Sequence, residues 1–154
     1  MRSPPRTEVF RTGFESLVEH RLYDSVAAGR MLGADQIESL TQATAARYST
    51  WYGPGSERPL AWVRPLQFYT RPLYRLNYVY ARLLGLRYID LLRRDPVGFA
   101  PRYGALLGNG YDAPPDELLR RFVGSGLYEP AELTEAAVRV IESWRSELER
   151  LYAG

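Results

Sequence analysis

Between Pro72 and Arg94 the charged residues Arg75, Arg82, Arg87, Asp90, Arg93 and Arg94 keep helical step. At 100° per residue they fall within an arc of roughly 140°, leaving the rest of the cylinder for packing. A long central helix follows, with Pro72 tolerated in its first turn and Asp95-Pro96 as its stop. No segment of the chain sustains the period-two alternation that a half-buried strand requires. The expected fold is therefore all-α, with about five to six helices in an irregular bundle around one long central helix.

The flanking segments read the same way. Phe10, Phe14, Leu17, Val18, Leu22 and Val26 recur at three- and four-residue steps between Glu8 and Ala28, and Gly29 is a natural stop. Gly33 is placed as an N-cap with Gln36 reaching back in the manner of a capping box. Ile37, Leu40, Thr44, Tyr48 and Trp51 continue that second helix as far as Gly53-Pro54-Gly55, and Ser56 to Thr70 reads mostly as loop. Past the central helix, a short helix or helical turn over Val97–Leu107 ends at Gly108-Asn109-Gly110. Prolines and first-turn acids at 112–117 open a helix over Leu118–Val123, and Leu133, Ala137, Val140, Ile141, Trp144, Leu148 and Leu151 mark a last one from Pro130 to Tyr152.

Composition narrows the function classes. A chain of 154 residues with 45% hydrophobic content fits a single helical domain, residues 1–154, with its own core. Its twenty basic residues are all Arg and exceed the acidic ones by only two, alternating with Glu and Asp along helical faces. That is the pattern of a solvated surface and not of the dense basic stripe that nucleic acid binds, so no nucleic-acid partner is expected. There is no Cys, hence neither a disulfide framework nor a thiolate metal site. The most apolar stretch, Leu73–Leu92, contains Arg75, Arg82, Arg87 and Asp90, which argues against a membrane span. The N-terminus lacks the apolar core of a secretory leader, and a cytoplasmic protein is expected.

The run Gln67-Phe68-Tyr69-Thr70-Arg71-Pro72-Leu73-Tyr74-Arg75-Leu76-Asn77-Tyr78-Val79-Tyr80-Ala81 resembles the H-F-Y-x-x-P-F-Y-x-x-x-Y-x-x-A signature of oligoendopeptidase F and thimet oligopeptidase-type zinc metallopeptidases. Phe14-Glu15 through Leu22-Tyr23 and Ala28-Gly29 is similar to the family's F-E-x-x-L-Y-x-x-x-x-G helix, and Trp51-Tyr52 to the aromatic pair that ends the next helix. Tyr103 to Gly110 and Pro115 to Leu119 resemble its Y-x-x-L-L-x-x-G and P-x-E-L-L stretches. Together these span residues 10–152 and correspond to the last quarter or so of a complete enzyme of that kind, downstream of the H-E-x-x-H region.

Such enzymes hold zinc with two His of H-E-x-x-H and a later Glu, the motif Glu acting as general base on the bound water. Here the one imidazole is His20, so no cofactor is expected in this chain, and zinc is implied only for a complete enzyme. The resemblance implies a substrate-side role for Tyr74 and Tyr78, which share a helical face, then for Tyr69, and for Gln67 where the family has His. Gln donates a hydrogen bond but carries no positive charge and shuttles no proton. Two readings stay open: an incomplete peptidase segment whose Tyr-lined groove needs a zinc-bearing partner chain for hydrolysis, and a stand-alone, non-catalytic peptide- or protein-binding module descended from one. In either case a second copy of the chain could cover the surface that a missing lobe leaves.

Overall fold

The computed structural model describes residues 5–30, 32–47, 61–63, 65–124, 126 and 129–153. Among them it is all-α, with seven helices and no strand. They are α1 (Pro5–Ala27), α2 (Ala34–Arg47), α3 (Gln67–Thr70), α4 (Tyr74–Arg94), α5 (Pro96–Gly108), α6 (Pro115–Val123) and α7 (Pro130–Tyr152), with a 3-10 turn at Ala61–Val63. One helix more than expected arises at α3, in a stretch that reads as loop from its prolines. The expected continuation of α2 through Tyr48 and Trp51 lies outside the described residues. The chain divides into two compact units, Met1–Val79 and Tyr80–Gly154, the boundary falling within α4.

In the first unit α1 ends in a Schellman motif. Gly29 takes φ 73°, its N–H reaches the Val26 carbonyl at 2.9 Å, and the Arg30 N–H reaches that of Ser25 at 3.0 Å. At the start of α2 the Gly33 N–H donates to Gln36 Oε1 at 2.7 Å, the reciprocal half of a capping box whose other half Gly cannot supply. Across the α1–α2 hairpin, Phe14, Val18 and Ala45 form an apolar cluster joined by Leu22, Leu40 and Phe68. The small fully buried Thr41 and Thr44 return their hydroxyls to the Ile37 and Leu40 carbonyls, which lets the helices approach without an unpaired polar group. A side chain at Gly29 would meet no neighbour, so its only penalty is the left-handed backbone. Gly29→Ala is expected to cost about 1 kcal/mol, read as a lowered denaturation midpoint at unchanged slope.

Helix α1 buries more than its apolar stripe. Thr12, Glu15, Ser16 and Glu19 are buried as well, whereas Phe10 and Val26, counted in that stripe by periodicity, are 39% and 64% exposed. Glu15 sits between Arg11 Nε at 3.0 Å and Arg75 Nε at 3.1 Å. Glu19 accepts the backbone N–H of Leu73 at 2.6 Å and so fixes the entry to α4. Leu73 adopts φ 57°, a left-handed conformation that cannot be helical, which is why α4 begins at Tyr74 and not at Pro72.

In the second unit Asp95 caps α5, its Oδ1 accepting the Gly98 N–H at 2.9 Å with Pro96 in the first turn. A Cβ at Gly98 would stand 2.1 Å from the Asp95 carboxylate, so a larger residue there would require that carboxylate to shift. Phe99, Leu119 and Val123 form the core of α5 and α6, and Tyr88, Phe99 and Tyr103 group with ring centroids 5.3–6.0 Å apart. Helix α7 buries Leu133, Ala136, Ala137 and Val140.

The charged arc of α4 is not turned wholly to solvent: Arg82, Arg93 and Arg94 are exposed and Leu84, Tyr88 and Leu91 pack on the core as expected, but one part of the arc is buried. The buried residues of this helix are Arg87 and Asp90, while Leu76, Tyr78 and Leu92 are 40–45% exposed. Polar and charged side chains of α7 meet that part of the arc. Arg87 donates to Glu132, Asp90 receives Arg139 Nη2 at 2.9 Å, and Arg93 Nη1 donates to Ser143 Oγ at 2.6 Å.

Candidate functional site

In the first unit, Glu19, Leu22, Tyr23 and Val26 of α1 stand at steps of three, four and seven residues and so share one face. Together with Ile37 of α2, Trp62 of the 3-10 turn, and Phe68 and Tyr69 of α3, they line a groove of about 170 Å³. Its wall is apolar apart from Glu19 and the Trp and Tyr polar tips. Trp62 is held in place by its indole N–H, which donates to Glu38 Oε2 of α2 at 3.0 Å. The Tyr69 hydroxyl donates to the Trp62 carbonyl at 3.2 Å, closing α3 onto the turn. Burial of part of the ring raises the Tyr69 phenol above its ordinary pKa, so it stays a neutral donor.

The four residues expected to act together are divided between two places. Tyr74 and Tyr78 do come together on one face of α4, rings edge to face at 5.4 Å between centroids. The Tyr78 hydroxyl donates to Tyr74 Oη at 3.5 Å, and the Arg71 guanidinium lies 5.4 Å from the centre of the Tyr74 ring. This hydrogen bond and the Arg71 charge lower the Tyr74 phenol, whereas donating to Tyr74 raises that of Tyr78. With the Tyr78 hydrogen used on Tyr74, the half-buried Tyr74 hydroxyl is the one of the pair whose own hydrogen can be offered to a carbonyl oxygen. Tyr69 stands in the groove wall instead, and Gln67 is half-buried at the first residue of α3. Among the described residues no hydrogen bond or ring contact joins either of them to Tyr74 or Tyr78.

Glu19, Tyr23, Ile37, Trp62 and Phe68 belong to the groove, although sequence reasoning does not single them out. One signal for them is present. Glu19 is a carboxylate in register with the apolar Leu22, Tyr23 and Val26, and an acid on an apolar stripe needs a partner. His20 lies one residue further round α1, exposed, with Nδ1 3.0 Å from the Asp24 carboxylate. One imidazole and no thiol do not make up the His₂Glu donor set of a zinc peptidase within these 154 residues. No helix of the described residues is long and apolar enough to cross a membrane. Comparison with protein-family models, with curated proteins and with solved structures found no match to this chain.

Proposed function

We propose that this chain is a peptide-binding helical module that holds an apolar peptide side chain in the groove of its first unit and does not hydrolyse peptides by itself. The observation that carries the reading is the groove itself, an apolar cleft with Trp62, Phe68 and Tyr69 in its wall and room for one side chain. Aromatic residues with anchored polar tips are the side chains that most often dominate peptide and protein recognition. The resemblance of residues 67–81 to the substrate side of oligoendopeptidase F-type enzymes supports a peptide as the ligand, and Tyr69 belongs both to that run and to the groove. On this reading hydrolysis requires a partner chain that brings the zinc-binding residues.

Titration calorimetry of the full chain against short apolar peptides tests the reading. Tyr69 is 58% exposed, so Tyr69→Ala leaves the core in place and is expected to weaken binding about tenfold. Tyr78→Ala, on the α4 face outside the groove wall, is expected to leave binding unchanged. Loss of binding in the Tyr78 variant alone would move the site to the Tyr74–Tyr78 face. Chelator-sensitive cleavage of a quenched peptide by the purified chain would overturn the non-hydrolytic part.

A further inference from the structure

Among the described residues Glu19 is the one charged side chain in the wall of the groove, and it is 2% exposed. Its Oε1 is occupied by the Leu73 N–H at 2.6 Å, whereas Oε2 is buried without a hydrogen-bond partner. A carboxylate oxygen held away from water is unfavourable unless a donor or cation meets it. Among the described residues, Arg21 Nη1 donates to Thr44 Oγ1 at 2.8 Å, and Arg75 Nε lies 3.1 Å from the Glu15 carboxylate. The groove thus combines an aromatic wall, which favours organic cations, with one buried carboxylate oxygen that no hydrogen-bond donor among the described residues meets.

We infer that the groove recognises the free α-ammonium group of a peptide whose first residue is apolar, with Glu19 Oε2 as the acceptor. This rests on the peptide-binding reading and specifies which end of the peptide is bound. One free acceptor oxygen suits a single ammonium N–H and leaves the fork of a guanidinium half unpaired, which disfavours arginine. An N-terminal residue carries its ammonium and its apolar side chain on the same Cα, matching one acid set among Leu22, Trp62 and Phe68. A lysine brings its ammonium at the end of a flexible, strongly hydrated stem and offers no apolar group beside it.

The experiment is calorimetric titration of the full chain with Leu-Ala-Ala-Gly carboxamide, with the same peptide N-acetylated, and with an N-acetylated form in which Lys replaces Leu. The free-amine peptide is expected to bind about tenfold tighter than the acetylated one, as a charge-assisted hydrogen bond does over none. Glu19→Gln keeps an oxygen for the Leu73 N–H, and in that variant the ratio is expected to fall to about one. Should the variant fail to fold, the ratio measured on the unaltered chain still decides. Equal affinity for free and acetylated peptides would overturn the role of Glu19 while leaving the groove reading intact. A preference for the acetylated lysine peptide would overturn the α-ammonium in favour of a side chain. Absence of binding by all three would overturn the peptide reading and this inference together.

Discussion

Replacement of Asp90 by Asn is expected to lower folding stability by about 3 kcal/mol, the size of effect seen when a buried ion pair loses one member. Asp90 is 6% exposed and receives Arg139 Nη2 at 2.9 Å, Arg87 Nη1 at 3.2 Å and Arg94 Nε at 3.3 Å. The amide removes the charge and one acceptor while keeping the volume, so Arg87, itself 9% exposed, is left with Glu132 alone. Arg139 and Arg94 keep contact with water, which holds the cost toward the lower end of the range for a buried pair. A shift of the denaturation midpoint, with hydrogen exchange locating the loss in α4 and α7, checks it. A change below about 1 kcal/mol would show that the network contributes orientation and little stability.

The same carboxylate sets an acid limb. The hydrogen bond from Arg139, and then the charges of Arg139, Arg94 and Arg87, outweigh burial and hold Asp90 below the ordinary aspartate value of 3.8. A group whose pKa is depressed by folding contributes stability that is present above the unfolded value and is lost as pH falls through the folded one. Unfolding free energy should therefore decline below about pH 4. Asp90→Asn should flatten that decline. Glu132 acts in the opposite sense, since burial and the neighbouring Glu129 raise its pKa despite Arg87. Its contribution is present below the ordinary glutamate value and is lost as pH rises through the raised one.

What the sequence reveals and what it hides divide along a physical line. Helix ends depend on a few neighbouring residues, so Gly29, the Gly33–Gln36 pair, Asp95-Pro96 and Pro130 are legible from local chemistry alone. Which face of α4 is buried depends on what lies opposite. Periodicity locates its charged arc but cannot show that Glu132 and Arg139 of α7 and Glu15 of α1 await it, and so by itself it turns the arc to solvent. The helical spacing of Tyr74 and Tyr78 correctly predicts that they share a face, because four-residue spacing is local. Their separation from Tyr69 is hidden, since it follows from the left-handed Leu73 that divides α3 from α4, and a leucine gives no sign of that conformation. The groove is hidden for a similar reason: Trp62 and Ile37 are brought to α1 by contacts far apart in sequence.

Phe14→Ala is expected to cost about 3–4 kcal/mol, from lost transfer energy and from the cavity left behind. Phe14 is 5% exposed and packs with Val18 and Ala45 where α1 meets α2. Leu22 and Phe68 lean on that cluster with one side and line the groove with the other. Loss of the ring therefore removes support from both groove walls, so peptide affinity should fall along with stability. Filling the space with Leu instead should restore most of the stability, since shape matters less than volume there. Comparing the two variants by denaturant titration and by calorimetry separates packing from recognition. If Phe14→Leu regains stability but not affinity, the groove depends on the aromatic shape beneath it, and the cluster is part of the binding site.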